Sequence, residues 1–161
     1  MVLNFFILGT RYIFIKLQEI GKDLLLEVLP SLLNNELKGT IQDESLVTFA
    51  PNIQREEEKI NFNKKAIEVH NLIRGLSLTP GAYCYLEEKQ LKIYRSRLSE
   101  LENDDLVPGS LKIENKNRLF VKCFDGYIEL IEIQPEGKQK MDVKSFLNGC
   151  NKDNLIRQIL K

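Results

Sequence analysis

The sequence predicts an α+β fold in which helical segments precede a small antiparallel β-barrel. Up to residue 76, apolar residues recur at the three- and four-residue spacing of amphipathic helices. Beyond Pro80-Gly81 the pattern changes to short runs that alternate apolar and polar residues. Turn signals such as Pro108-Gly109 and Asp125-Gly126 separate these runs. Five or six short strands at this spacing are typical of a small barrel built as a meander.

The first predicted helix covers residues 16–37, where leucine, isoleucine and valine line one face. Pro30 interrupts this pattern, so the sequence leaves open one kinked helix or two short ones. Gly39 follows as a candidate C-terminal stop. Residues 40–62 then form a predicted linker, which contains Pro51 and a charge run over residues 55–59.

The second predicted helix covers residues 64–76 and begins after a cap at Asn61 or Asn63. Its inward-facing residues are expected to be Ala66, Ile67, His70, Ile73 and Leu76. Strands are expected over residues 83–86, 91–98, 111–113, 119–123 and 127–133, with a turn at 87–90. A further helix is expected over residues 141–147. The tail that follows is compatible with a helix that carries Leu155, Ile156, Ile159 and Leu160.

Composition restricts the class of function. The chain has 161 residues with 23 basic and 23 acidic side chains, so no overall basic bias indicates nucleic-acid binding. A small positive excess lies in residues 61–161, which carry 17 basic and 14 acidic side chains. The single histidine, His70, and the three cysteines form no metal-ligand spacing and no nucleophile motif. We therefore expect no catalytic residue and no metal site, and we interpret His70 as structural.

The opening residues are apolar but predict no membrane span. Arg11 interrupts the apolar run after about ten residues, and no basic stretch precedes it. The cysteines are expected to be free thiols, which fit a reducing cytosol. The sequence therefore predicts a cytoplasmic protein without membrane contact.

Several separated motifs occur in an order that resembles one known family. They include Leu46-Val-Thr-Phe-Ala-Pro51, His70-Asn-Leu-Ile-Arg-Gly75, Pro80-Gly-Ala-Tyr83 and Gln134-Pro-Glu-Gly-Lys-Gln-Lys-Met141. Over residues 16–149 the chain resembles the C-terminal half of bacterial methionyl-tRNA formyltransferase. Residues 1–15 fall outside the resemblance. We expect them to be out of register with the ancestral gene through a frameshift or an internal start.

The resemblance implies a division of the chain and an open OB-like barrel. Residues 1–39 would be a helical remnant of the catalytic domain, 40–62 a linker, and 63–161 the formyltransferase C-terminal OB-like domain. Without the sheet on which the family packs it, helix 16–37 is expected to expose an apolar stripe, which indicates association, docking on the barrel or instability. The family's catalytic Asn-x-His pair and downstream Asp do not stand in this sequence.

The resemblance also implies a role in translation initiation. The full enzyme transfers a formyl group from 10-formyltetrahydrofolate to the amino group of methionine on initiator tRNA. This chain would bind the initiator methionyl-tRNA and would contain no cofactor site of its own. It is expected to be inactive in isolation.

Seven cations are the candidate tRNA contacts. The resemblance places Arg55 and Lys59 on the connection that lies along the tRNA. The other five are expected to form a positive face: Lys92, Arg95, Arg97, Lys138 and Lys140. Strict alternation along the strand puts Lys92 and Tyr94 on one face and Ile93 and Arg95 on the other. The alternative is that Lys138 and Lys140 are solubility charges and that residues 55–59 form a surface helical turn.

Two other functions remain open at this point. One is a non-catalytic OB-type interaction module, or a degenerate remnant without a specific ligand, which the zero net charge favours. The other is a related folate-using formyltransferase that acts on a sugar nucleotide or on water. The uninterrupted motifs around Phe49 and Gln134 favour the tRNA enzyme.

Overall fold

The computed structural model describes residues 10–77 and 79–161, which form two compact units. The first unit ends at Ile53 and the second extends over Gln54–Lys161. Most of the segment predicted to be out of register, residues 1–9, lies outside the described residues. The predicted linker 40–62 spans the division, because residues 54–62 belong to the second unit.

The first unit contains one long helix, α1, over Thr10–Leu33 and a short 3-10 helix over Glu44–Leu46. Pro30 lies inside α1 without ending it, so the helix is continuous. It ends at Leu33 rather than at the predicted Gly39, because the chain turns at Asn35, which has a φ of 57°. The described part of the chain holds no helix long and apolar enough to cross a membrane. The expected exposed stripe is present and includes Leu17, Ile20, Leu24, Leu25, Leu32 and Leu33.

The second unit is built on an antiparallel sheet of six strands. They are β1 (Ala82–Leu86), β2 (Lys89–Leu98), β3 (Leu111–Glu114), β4 (Arg118–Lys122), β5 (Tyr127–Pro135) and β6 (Met141–Asp142). The strand order is β1-β2-β5-β4-β3, and β6 pairs with β5. The predicted α+β class with antiparallel strands is confirmed. The β1–β2 turn is shorter than expected, because Glu87 and Glu88 both adopt positive φ and form a two-residue turn.

Three helices accompany the sheet: α2 (Ala66–Gly75), α3 (Val143–Asn148) and α4 (Lys152–Leu155). The predicted cap of α2 is wrong. The N-cap residue is Lys65, and Asp125 of the β4–β5 turn accepts a hydrogen bond from the Ala66 N–H at 2.7 Å. One predicted inward position is also wrong, because Ile67 is 42% exposed while Val69 and Ile73 are buried.

The core lies between α2, the sheet and the C-terminal helices. It begins before α2, since Ile60 and Phe62 are 2% and 4% exposed and pack in the same cluster. The strands contribute the largest buried group, which includes Ile93, Leu119, Val121, Ile128, Leu130 and Ile133. Leu147 of α3 and Leu155 of α4 complete it. Residues of β1 and β2 also belong to this core, which fixes the position of both strands.

The C-terminal tail joins the two edges of the sheet. Tyr85 of β1 and Lys161 exchange backbone hydrogen bonds of 2.7 and 3.0 Å. On the other side, the Leu160 N–H donates to the Gly109 carbonyl at 2.9 Å, just before β3. The helical pattern of the tail is therefore realised only in α4, and residues 159–161 are extended because both edges offer unpaired backbone groups.

Candidate nucleic-acid interface

The candidate interface is the side of β1 and β2 that points away from the core. On β1, Ala82 and Cys84 have 0% exposure and belong to the core, so Tyr83 and Tyr85 point to the opposite side. The β1–β2 ladder pairs Tyr83 with Lys92, which therefore lies on that side as well. We call this side of β1, β2 and the adjoining β5 the outer face.

The alternation predicted for β2 breaks at a β-bulge. Ile93 is fully buried in the core, whereas Arg95, two residues later, is exposed. The ladder to β5 shifts register between these two residues, which leaves Tyr94 as the extra residue of the bulge. The expectation that Ile93 and Arg95 share a face is therefore wrong, because one extra residue reverses the alternation beyond it.

The bulge brings the cations of β2 to one side. On β5 the partners of Lys92 and Arg95 are two residues apart, at positions 134 and 132, so both cations share a face. A second register shift follows, so that Ser96 lies opposite the buried Leu130 and Arg97 turns outward. Lys92, Arg95 and Arg97 therefore all lie on the outer face, which strict alternation would not allow.

Two further cations cover the rings of β1. The short 3-10 helix Arg55–Glu58 places the Arg55 guanidinium carbon 5.2 Å from the centroid of the Tyr83 ring. The Lys59 ammonium lies 5.4 Å from the centroid of the Tyr85 ring. The two rings contact each other edge to face, with their centroids 5.7 Å apart. Residues 55–59 are thus attached to the outer face through cation–π contacts.

The segment after β5 supplies the remaining candidates. The Lys140 ammonium lies 3.5 Å from the centroid of the Tyr94 ring. The Tyr94 hydroxyl donates to Gln134 Oε1 at 3.0 Å, and Gln134 Nε2 donates to the Lys138 carbonyl at 2.9 Å. Burial raises the pKa of Tyr94, so its hydroxyl stays protonated and able to donate. These bonds tie the loop that carries Lys138 and Lys140 to β2.

The candidate cations are not neutralised by salt bridges. Lys92 donates to the Pro80 carbonyl at 2.8 Å, which orients its ammonium without cancelling its charge. Within residues 10–77 and 79–161, no candidate cation takes part in a side-chain ion pair, and the pairs present are Lys16–Glu19, Lys22–Asp23, Lys112–Asp104 and Arg118–Glu129. No salt bridge therefore cancels their charge, although Arg95 lies opposite Glu132 in the ladder to β5.

Arg97 has different surroundings from the other six. It lines a groove of about 360 Å³ that also holds Glu100, Glu114 and the ion pair of Arg118 with Glu129. Arg118 donates to both carboxylate oxygens of Glu129, at 2.7 and 2.8 Å, and lowers the pKa of that carboxyl. This groove contains more acidic than basic side chains, so it is the least favourable part of the outer face for a phosphate.

The sequence pattern missed the aromatic part of this surface. Tyr83, Tyr85 and Tyr94 contact a cation each, but the sequence alone assigned them no role. A signal was available for two of them, since tyrosines two apart on a strand share a face. The direction of the third was predicted correctly, since Tyr94 shares the side of Lys92, but its contact with Lys140 depends on a segment distant in the chain.

His70 connects α2 to β2. Its Nδ1 lies 2.9 Å from the hydroxyl of Ser96, on the side of β2 that faces α2. Burial lowers the pKa of His70, and the positive charge of Arg74 adds to the effect. Within the described ranges no group of three histidine, cysteine or acidic residues is arranged to hold a metal ion.

We expect His70 to make the stability of the fold depend on pH. Because its pKa is lower in the folded state than the ordinary 6.5, the unfolded chain binds a proton more readily. The free energy of unfolding should therefore fall as the pH drops below about 6.5 towards the folded pKa. Urea unfolding of the native chain and of His70→Asn at pH 7.5 and 5.5 checks this. An equal pH dependence in both would contradict it, and as the chain has 1 histidine, no second imidazole can mask the result.

The fold and the sequence define the class to which the chain belongs. Residues 52–151 match the family model described as formyl transferase, C-terminal domain. The chain therefore belongs to the formyl transferase C-terminal domain family. Among curated proteins it is 44% identical over 140 residues to the methionyl-tRNA formyltransferase of Lactococcus lactis subsp. cremoris (strain MG1363), covering 84% of this chain and 43% of that protein.

Other relatives give the same result. The methionyl-tRNA formyltransferase of Streptococcus pyogenes serotype M12 (strain MGAS2096) is 43% identical over 148 residues, with 92% of this chain and 47% of that protein covered. The chain thus spans less than half the length of the curated relatives it matches. Among solved structures, HypX from Aquifex aeolicus superposes with a TM-score of 0.65 at 17% identity, over 79% of this chain and 22% of that one. This last likeness is one of fold.

Proposed function

We propose that the chain is the tRNA-binding C-terminal part of a methionyl-tRNA formyltransferase. Family membership and the relatives named above support this proposal. The observation that carries it is the outer face, where five cations that lack a salt bridge lie on or beside β1 and β2, with Lys138 on the loop after β5. The five are Arg55, Lys59, Lys92, Arg95 and Lys140. Phosphates of the RNA backbone are the matching ligand, since they supply charge without requiring base recognition.

The complete enzyme would transfer a formyl group from 10-formyltetrahydrofolate to the methionine on initiator tRNA. In that reaction this chain would bind and orient the tRNA, which is a proximity contribution rather than bond chemistry. Arg97 is the weakest of the seven proposed contacts because of the glutamates around it. Binding by the others is expected to be sensitive to salt and largely independent of sequence. A cytoplasmic location follows from this role.

We further propose that the second unit is an OB-like barrel. The open sheet order leaves β1 and β3 as edges, and the tail bonds to Tyr85 on one side and Gly109 on the other. Such a strand-like connection would complete a small barrel. We also propose the division into residues 1–39, 40–62 and 63–161. Its last boundary is approximate, since the core of the second unit already includes Ile60 and Phe62.

The exposed helix α1 is proposed to mediate association. Its leucines at positions 17, 24, 25, 32 and 33 are all more than half exposed. Contiguous apolar surface of this kind marks interaction sites. Light scattering of the chain, compared with a variant in which Leu17 and Leu24 are replaced by Gln, tests whether α1 drives self-association.

Binding and activity can be separated in one experiment. We expect the purified chain to retain initiator methionyl-tRNA on filters at low salt and to lose it progressively as salt rises. The chain alone should transfer no formyl group, and it should raise the activity of a separately expressed catalytic part. Absence of retention at low salt would contradict the proposed function and favour the non-catalytic module. Formyl transfer by the chain alone would refute the assignment of a purely binding role.

A further inference from the structure

We propose that the tyrosines of the outer face are positioning residues, each of which holds one cation in place for a phosphate: Tyr83 holds Arg55, Tyr85 holds Lys59, and Tyr94 holds Lys140. This inference rests on the proposed function, because it states how the cations of that site are presented. It assigns a role to the rings themselves, which contact no nucleic acid in this scheme.

A ring can order a cationic side chain without neutralising its charge. A free lysine or arginine side chain loses rotamer entropy when a ligand immobilises it. An acidic partner would order the side chain in advance but would also cancel its charge. An aromatic ring attracts the cation through its quadrupole and carries no charge. A cation on a ring is therefore partly ordered and still able to bind phosphate.

The outer face differs in this respect from the other cation–ring contacts of the second unit. Elsewhere among its described residues, the cations that lie over rings also bind a side-chain oxygen. Lys112 pairs with Asp104, and Arg118 pairs with Glu129. Lys122 donates to an asparagine side chain. In contrast, the cations over Tyr83, Tyr85 and Tyr94 make no side-chain ion pair.

The three rings lie on the same side of the sheet. Tyr83 and Tyr85 contact each other, and Tyr83 lies opposite Lys92 on the neighbouring strand. Tyr94 lies on the same side as Lys92, because only the buried Ile93 separates them and the Tyr94 hydroxyl bonds to Gln134, the β5 partner of Lys92. The cations come from two separate segments, since Arg55 and Lys59 precede α2 and Lys140 follows β5. Each ring thus lies beneath a cation from another segment of the chain.

The free protein provides the first test. The side-chain methylene protons of Lys140 should show an upfield ring-current shift in NMR spectra, because the ammonium lies 3.5 Å from the Tyr94 centroid. Tyr94→Phe keeps the ring face and should keep the shift, although it loses the bond to Gln134. Tyr94→Leu should abolish the shift. An unshifted Lys140 in the native chain would overturn the inference whether or not tRNA binds.

Binding provides the second test, because affinity and salt dependence report different quantities. The slope of log affinity against log salt counts the phosphates neutralised, whereas the affinity also includes the cost of ordering the cations. Tyr94→Leu should weaken tRNA binding about two- to fivefold with an unchanged slope. Tyr94→Phe should bind like the native chain. Equal loss in the Phe and Leu variants would show that the hydroxyl, and not the ring, is responsible.

Two further variants keep the outcome interpretable. Tyr85→Leu repeats the test at a partly exposed ring, where loss of the side chain threatens the core less than at Tyr94. Phe124→Leu removes a ring that is 64% exposed and lies under no cation among the described residues, so it should leave affinity unchanged. Absence of tRNA binding by the native chain would refute the proposed function and with it the phosphate role of the rings, whereas an unshifted Lys140 refutes the positioning alone.

Discussion

Replacing Lys59, Lys92 and Lys140 together with glutamine should weaken tRNA binding about tenfold or more at moderate salt. These residues belong to three separate segments that meet on the outer face, and none takes part in a side-chain ion pair among the described residues. If each neutralises one phosphate, the log–log slope of affinity against salt should fall by about two to three. Filter binding over a series of salt concentrations measures both quantities.

A matched control separates the outer face from net charge. The variant Lys116→Gln, Lys152→Gln, Arg157→Gln removes the same number of charges from the β3–β4 turn and the tail. It should bind tRNA like the native chain and show the same slope. Equal loss of binding in both triple variants would mean that the second unit attracts tRNA by overall charge alone, and the outer face would lose its special role.

Gly109→Ala should destabilise the fold by about 3 kcal/mol, the largest single-residue effect on stability that we predict. Gly109 adopts a φ of 92°, a region that side chains strain. A Cβ at this position would lie 2.3 Å from the Leu160 carbonyl oxygen, which is part of the backbone and cannot move aside alone. The substitution should therefore displace the tail that joins the two sheet edges. Chemical unfolding followed by circular dichroism gives the free energy.

Gly137 is the natural control for this substitution. Its φ of 71° is also positive, but nothing lies within 4 Å of a Cβ built there. Gly137→Ala should cost only about 1 kcal/mol. In a chain that ends at Gln158, the clash partner is gone, so the cost of Gly109→Ala relative to that truncated parent should fall towards that of Gly137→Ala. If Gly109→Ala remains the more costly variant there, contact with the tail does not explain its effect.

Much of the second unit follows from local patterns in the sequence. The runs now seen as β1 to β5 were predictable, because alternation and turn residues act between near neighbours along the chain. The cap of α2 was not predictable, since its hydrogen-bond acceptor, Asp125, is 59 positions away. The extended tail was also missed, because its apolar spacing suits a helix as well as a strand and the free sheet edges decide between them.

In the candidate site as well, features set by residues distant in the chain could not be predicted. The residue types alone identified the candidate cations. The predicted direction of Arg95 was wrong, because pairing with β5 introduces a bulge before it. The surroundings of each cation could not be predicted from the sequence either. Arg97 and Lys140 look alike in the sequence, yet one lies among glutamates and the other over a tyrosine ring. These differences arise from segments that meet only after folding.

By itself the sequence determined the α+β class, most strand and helix positions and the family, because each depends on local periodicity or on motifs in a fixed order. Only the tertiary structure decided that the cations on β2 share one side, that tyrosines lie beneath three cations, and that the tail joins the sheet edges. The physical reason is that strand register, a bulge and edge pairing are set by partners distant in the chain.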